Sequence, residues 1–265
     1  MLQLKRKVII QQSFHSGVTA IVLLVILMIA NPVMAVRPFI TDDARIASPK
    51  EFQIESSLRV DQERFQNLNV FSFGIIKNLE GSFNFIDGFM LEDETKGKVS
   101  IAGPGFQLKY LFADGKTSNF PATALVVGAS PPYGLGSETF ANPSWSSYTY
   151  LAVTKFFFKD LETLNLHINI GINNSYEEGG VKSSLSWGVG IQSHLIHKLY
   201  FCAELFQGDP YAITPGALYQ VGFRYFISDN MQMDIATGKG IYGDPMLGQY
   251  FSCGIRFVFD KYTKK

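Results

Sequence analysis

Seven charged side chains recur on the polar faces of segments in which apolar and polar residues alternate. They are Glu55, Arg59, Lys109, Glu204, Arg224, Asp234 and Arg256. Charged side chains along a confined aqueous path can select solutes by size and charge. The same side chains can instead form ion pairs that fill a narrow interior. The near balance of the two signs favours ion pairing for most of them and does not indicate a pore selective for one sign of charge.

Histidine and serine would serve an enzyme that cleaves or modifies lipid. His167 falls on the polar face of its segment, whereas His194 and His197 lie at a short turn. A lipid-directed Ser/His pair would have to face the lipid, and none of these histidines is predicted to do so. No two His or Cys residues share metal-ligand spacing on one face. The sequence therefore predicts no catalytic residue, no metal site and no cofactor.

The elements that position these side chains are β-strands, because apolar residues beyond position 50 recur with a period of two. The last strand is the clearest, with Phe251, Cys253, Ile255, Phe257 and Phe259 on one face and Tyr250, Ser252, Gly254 and Arg256 on the other. Across the chain the polar faces are mostly Gly, Ser, Asn and Gln, and the other faces are rich in Phe, Tyr, Leu and Ile. Lipid accepts such an apolar outer face and water does not. The pattern predicts an all-β fold, a single antiparallel up-and-down transmembrane β-barrel of about 12 strands.

Connection lengths give a second indication. Short links are predicted near 77–80, 113–118, 159–160, 193–198 and 228–229, and longer ones near 61–66, 88–102, 130–146, 174–180, 207–213 and 238–248. A barrel with both termini in the periplasm has short periplasmic turns, longer external loops and an even strand number. A soluble lipocalin-like barrel is the competing all-β interpretation.

The composition and the N-terminal residues indicate where in the cell the protein is located. The 265 residues are 46% hydrophobic and 17% charged, and Lys plus Arg equals Asp plus Glu at 23, so nucleic acid is not an expected partner. Lys5, Arg6 and Lys7 precede an apolar run over 18–30, which is shorter than the ~20 residues of a spanning helix. Together with the small residues around 33–35, this run predicts a secretory signal peptide, and an uncleaved anchor is the alternative. We expect a signal peptide at 1–35, an N-terminal periplasmic or lumen segment at 36–50 and an outer-membrane barrel at 51–260.

The final strand also resembles the signal that barrel-assembly machinery reads, with alternating aromatic residues that end in Phe257 and Phe259. A tail over 260–265 follows, whereas the Phe of that signal is usually at or near the terminus. The competing interpretation is an ordinary hydrophobic edge strand, which would stay exposed unless the sheet closes.

The segment after the predicted cleavage site reads Val-Arg-Pro-Phe-Ile-Thr-Asp-Asp-Ala. Through Arg37, Pro38, Thr41, Asp42 and Asp43 it resembles the outer-membrane transporters named "MetA-pathway of phenol degradation", whose mature chains begin with an RPxxTDDA-like segment. The resemblance implies a barrel for uptake of aromatic or otherwise hydrophobic small molecules, and no catalytic residues.

Asp42 and Asp43 have two interpretations. They could bind a cation or pair with an arginine of the lumen, which would let the N-terminal segment sit inside the barrel. The simpler interpretation is a solvated periplasmic lead-in in which Asp42 caps a turn, and the residue types favour it.

Three functions are therefore compared. The first is an outer-membrane channel or transporter through which small solutes, aromatic or hydrophobic ones among them, diffuse. The second is a noncatalytic structural or surface barrel whose lumen is filled by its own side chains. The third is a lipid-modifying outer-membrane enzyme. The expected partners are outer-membrane lipid, the barrel-assembly machinery and a small-molecule solute.

Overall fold

A computed structural model gives the fold of the chain. It describes residues 39–92, 96–116, 120–136, 140, 144–158, 163–208, 216–243 and 248–260. The predicted signal peptide, Arg37 and Pro38 lie outside the described residues.

The structure is built of β-strands. They are β1 (Glu51–Val60), β2 (Arg64–Ile76), β3 (Leu79–Met90), β4 (Ser100–Ala113), β5 (Ala122–Ser130), β6 (Gly134–Leu135), β7 (Trp145–Phe156), β8 (Leu164–Glu177), β9 (Gly180–Ile196), β10 (Leu199–Gln207), β11 (Gly216–Ser228), β12 (Met231–Gly243) and β13 (Tyr250–Asp260). Among the described residues, no helix is long and apolar enough to cross a bilayer.

The 12 long strands form a closed antiparallel barrel. Each pairs with its neighbour along the chain, and β1 pairs with β13 to complete the ring. The two-residue strand β6 pairs with β4 beside the ring. Closure satisfies the backbone hydrogen bonds of every edge, which lipid requires. The predicted all-β barrel is confirmed.

The alternation of side chains divides the barrel into a lumen face and an outer face. On β13, Phe251 is 63% exposed on the outside, whereas Tyr250 and Arg256 are 1% and 2% exposed inside. Large apolar residues are likewise exposed on the outer faces of the other long strands. On β13 the polar face predicted from the sequence therefore lies in the lumen.

The links follow the predicted rhythm only in part. We call the end where β1 begins and β13 ends the lower end, and the opposite end the upper end. Two-residue links over 77–78, 197–198 and 229–230 lie at the lower end, as predicted. At the upper end, however, the links over 61–63 and 178–179 are short, which corrects the prediction of longer loops. The Asn- and Ser-rich ends of β8 and β9 look like loop in the sequence, but they pair up to Glu177 and Gly180.

Candidate functional site

The lower half of the lumen contains part of the chain itself. Residues 39–50, which precede β1, are called the inner segment below. Residues 39–47 are buried or half-buried inside the barrel, and 48–50 are exposed where the segment leads to β1. Thr41, Asp42 and Asp43 are only 1% to 3% exposed. The solvated lead-in favoured by the sequence is therefore wrong for these residues, because wall side chains replace water around both the carboxylates and the backbone.

Asp42 is held by three strands. Its carboxylate lies 3.0 Å from Nζ of Lys109 on β4 and accepts a 3.0 Å hydrogen bond from the Tyr150 hydroxyl on β7. The side-chain amide of Asn169 on β8 binds the backbone of the same residue, accepting from Asp42 N at 2.6 Å and donating to Asp42 O at 2.8 Å. Lys109 therefore pairs with Asp42, in place of the arginine expected from the sequence.

Glu204 on β10 holds the next two residues toward the upper end. Its two carboxylate oxygens accept hydrogen bonds from Ile40 N at 3.1 Å and Thr41 N at 2.8 Å. A carboxylate that receives two backbone N–H groups makes charge-assisted hydrogen bonds, which are stronger than neutral ones. Glu204 is 4% exposed, so these bonds form away from bulk water.

The lower part of the inner segment is held in the same way. Ala44 N donates to Thr154 Oγ1 on β7 at 3.0 Å, and Ala47 N donates to a carboxylate oxygen of Glu80 on β3 at 2.6 Å. Asp43 pairs with Arg45 of the same segment at 3.0 Å. Polar side chains from β3, β4, β7, β8 and β10 therefore satisfy the backbone of a segment that has no regular partner strand.

Small residues make room for the inner segment. Ala44 packs in a buried cluster with three alanines of the wall, Ala122, Ala124 and Ala152. A Cβ on Gly188 of β9 would lie 2.4 Å from Thr41 Oγ1, and one on Gly74 of β2 would lie 2.0 Å from the backbone oxygen of Ser48. Larger residues at these positions would displace the segment.

The other charged lumen residues contact the wall. Arg256 Nε lies 3.2 Å from a carboxylate oxygen of Glu55, and Arg256 also donates to Gln53. Arg59 lies over the ring of Tyr250, with its guanidinium carbon 3.8 Å from the ring centre.

Arg224 completes this set. It donates to Gln192 and stands directly across from Asp234 in the β11–β12 ladder.

The seven charged residues predicted from sequence thus divide into three groups. Lys109 and Glu204 bind the inner segment, Arg224 and Arg256 are buried in the wall, and Glu55, Arg59 and Asp234 line an open cavity. Sequence reasoning missed Tyr150, Asn169, Thr154 and Glu80. Glu80 was predicted in the short link 77–80, although it lies in β3. The sequence contains no sign that these four residues bind residues 42–47.

The upper half of the lumen is a cavity of about 1260 Å³, called the vestibule below. Phe39, Ile40 and Thr41 are among its lining residues, so the inner segment borders it from below. Ile40 packs there against the buried cluster of Phe206, Leu218 and Tyr250.

The vestibule has two chemically different walls. Leu68 and Val70 of β2 and Ile86 of β3 form an apolar strip. Asn169 and Asn173 of β8 with Ser184 and Ser186 of β9 form a polar wall, on strands nearly opposite in the ring. Charged residues of both signs also line the cavity, the cations Arg59, Arg64 and Lys182 and the anions Glu55, Glu177, Glu178 and Asp234.

The remaining predicted residues are placed as follows. Phe257 and Phe259 lie on the outer face, with ring centres 6.5 Å apart. His167 is 1% exposed in the lumen, where its Nδ1 lies 3.0 Å from Thr154 Oγ1. Within the described part of the chain, no group of three His, Cys, Asp or Glu residues is arranged to hold a metal ion.

Solved structures of outer-membrane channels share this fold. The COG4313 outer membrane channel from Pseudomonas putida F1 is 9% identical with a TM-score of 0.55, over 85% of this chain and 100% of that chain. The KdgM porin in complex with disordered oligogalacturonate is 11% identical with a TM-score of 0.54, over 78% and 99%. The NanC porin is 10% identical with a TM-score of 0.53, over 78% and 98%. Likeness at these identities establishes the fold alone.

Sequence comparison identifies the family. No curated protein matches the chain. One family model matches residues 116–257, which is more than half of the 265 residues and extends from the β4–β5 link into β13. The chain belongs to the family described as "Uncharacterised conserved protein UCP029691".

Proposed function

We propose that this protein is a channel of the bacterial outer membrane that takes small solutes into the vestibule and is constricted below by the inner segment. The main support for this proposal is the lumen, which contains a cavity of about 1260 Å³ bordered by Phe39, Ile40 and Thr41. The exposed apolar outer face supports the membrane location. A signal peptide over residues 1–35 and an assembly signal at Phe257 and Phe259 stay predictions that fit this location.

The vestibule favours small solutes with an aromatic or apolar face and a few hydrogen-bonding groups. The apolar strip of Leu68, Val70 and Ile86 gives such a face a dry contact, and the amides and hydroxyls opposite can bind a polar substituent. Charges of both signs line the cavity, so no single field selects an ionic solute. The resemblance to the "MetA-pathway of phenol degradation" transporters supports the same class of solute.

Binding of phenol tests the solute class. We expect phenol to bind the protein in lipid nanodiscs more tightly than glucose does, measured by titration calorimetry with empty nanodiscs as the reference. Leu68→Asn combined with Ile86→Asn should weaken phenol binding about tenfold, because ~1.4 kcal/mol of apolar contact corresponds to that ratio.

Glu178→Gln, at the rim of the same cavity, is the matched control and should bind phenol as the parent does. Equal phenol affinity in the parent and the double variant would contradict the role of the apolar strip. Tighter binding of glucose than of phenol would contradict the solute class.

A structural barrel without transport is the second candidate. It is favoured by the lower half of the lumen, which contains the inner segment and buried wall residues such as Arg224, Gln192 and Asn165. The two candidates predict different results when the inner segment is removed. A channel should then conduct ions freely, whereas a barrel filled by its own wall side chains should not.

We infer a noncatalytic role in both cases. The histidine considered for a lipid-modifying enzyme, His167, is buried in the lumen next to Thr154 and does not face lipid.

A further inference from the structure

Four polar side chains lie on the outer, membrane-facing side of the barrel. Ser56 of β1, Asn67 and Asn69 of β2, and Asp87 of β3 form this group, called the outer polar island below. Cross-strand pairing places Asn69 beside Ser56, and Asn67 beside Asp87. Their chain neighbours Glu55, Ser57, Leu68 and Ile86 line the vestibule, so the four island residues point away from the lumen.

Apolar residues surround the island. Above it the rings of Phe65 and Phe89 stack with centres 5.0 Å apart, and below it Phe71 and Phe83 stack at 4.6 Å. In the ladder toward β13, Leu58 pairs with Cys253 and Ser56 with Ile255, both on the outer face.

A second polar group lies on β7 and β8. Asn174 donates to Ser147 above Ile168, Ile170 and Ile172, which are 40% to 57% exposed on the outer face, and the pair Trp145–Tyr176 lies above it. The outer polar island differs from this neutral group because it contains a carboxylate, Asp87.

The island is organised around one carboxylate. Asp87 Oδ1 accepts hydrogen bonds from the Asn67 amide at 3.2 Å and the Asn69 amide at 2.6 Å. The Ser56 hydroxyl donates to Asn67 Oδ1 at 2.9 Å or to Asn69 Oδ1 at 3.3 Å. Both of these hydrogen bonds to Asp87 end at Oδ1, and within the described part of the chain no hydrogen bond ends at Oδ2. All four side chains are only half-buried, so the group still presents polar atoms toward the membrane.

Polar atoms facing hydrocarbon are costly, and an ionisable residue there indicates a functional contact. Lipid phosphates do not suit this group, because the Asp87 carboxylate would repel them. A partner protein must instead offer hydrogen-bond donors at the same depth in the membrane.

We propose that two copies of this chain associate through the outer polar island about a two-fold axis along the membrane normal. Identical barrels in one membrane place their islands at the same depth, so polar atoms meet polar atoms. The island carries both donors and acceptors, which makes it self-complementary, as a two-fold interface requires. With the axis near β2, the rotatable Ser56 hydroxyl of one copy can donate to Asp87 of the other. The stacked Phe pairs above and below supply apolar contact.

Cysteine cross-linking tests the proposed face. In a Cys253→Ser background, Ser56→Cys should form a covalent dimer with a short bis-maleimide in outer membranes. Ile170→Cys, on the outer face of β8, is the matched control and should stay monomeric. Equal cross-linking at both positions, or none at Ser56→Cys in a folded barrel, would overturn the proposal.

Replacement of the island gives an independent measurement. The triple variant Asn67→Leu, Asn69→Leu and Asp87→Leu presents apolar side chains that suit lipid, so we expect it to fold. The parent should sediment as a dimer in detergent, and the dissociation constant of the variant dimer should be at least about tenfold higher. A monomeric parent at every protein-to-detergent ratio, with a triple variant that resists denaturant better, would show that lipid alone covers the island and would overturn the proposal.

Discussion

Glu204 is the wall residue whose chemistry acts most directly on the inner segment. Its carboxylate accepts from Ile40 N and Thr41 N, and hydrogen bonds to a charged group contribute about 1.5–3 kcal/mol each. Glutamine has nearly the same size, but it replaces one acceptor oxygen by an NH₂ group that faces an N–H donor. The substitution therefore removes the attraction without opening space.

We expect Glu204→Gln to increase the population with the inner segment outside the lumen by at least about tenfold. Trypsin cleavage after Arg45 measures this population, because the protease is too large to enter the barrel. Glu177→Gln, at the exposed pair with Lys182, is the control and should leave cleavage unchanged. If trypsin cleaved Glu204→Gln no faster than the parent, Glu204 would not be one of the residues that hold the inner segment in the lumen.

The sequence predicted the faces of these residues better than their partners. Strand phase placed Lys109 and Glu204 in the lumen, because a period of two reports the face of a strand. Strand phase could not predict that Glu204 binds Thr41, which is 163 positions away in the sequence. Such a contact depends on closure of the whole ring. The outer polar island escaped prediction for the same reason, because its four residues meet only when β1, β2 and β3 pair.

At the scale of elements, the fit between the inner segment and β9 depends on glycine. A Cβ at Gly188 would lie 2.4 Å from Thr41 Oγ1, whereas one at Gly190 would lie 3.5 Å from Thr41 Cβ, an ordinary contact. Both glycines face the lumen on the same strand. Alanine adds only a methyl group and no hydrogen-bonding group. Gly188→Ala and Gly190→Ala therefore differ only in how close the new methyl group comes to Thr41.

Gly188→Ala should therefore expose the inner segment to trypsin, and Gly190→Ala should behave as the parent. Thr41→Ala removes the clashing hydroxyl, so the double variant Gly188→Ala with Thr41→Ala should recover protection. Failure of the second change to restore protection would mean that Gly188→Ala disturbs β9 rather than its contact with Thr41.

The elements themselves were largely predictable, and the exceptions have physical causes. The long strands follow from alternation between lipid and lumen, as on β13. The Asn- and Ser-rich ends of β8 and β9 predict a loop, yet both strands continue as a paired hairpin up to Glu177 and Gly180. The inner segment has no period, so its burial could not be inferred from pattern, and its two Asp residues suggested solvation instead.

At the scale of the molecule, the two halves of the barrel have different contents. The lower half holds the inner segment among buried polar side chains, and the upper half holds the vestibule. A barrel built only for structure has no need of a large cavity with one apolar and one polar wall. A freely open pore would not contain a segment bound by five strands. A constricted channel accounts for both halves.

Single-channel conductance in planar lipid bilayers tests this central claim most directly. The comparison is between the chain starting at residue 36 and the chain lacking residues 36–47, each shown to be folded by its resistance to protease. We expect the longer chain to give no steps or small ones, and the shorter chain to give discrete steps at least several-fold larger. Equal conductance in the two chains, or silence in both, would contradict a channel constricted by its inner segment.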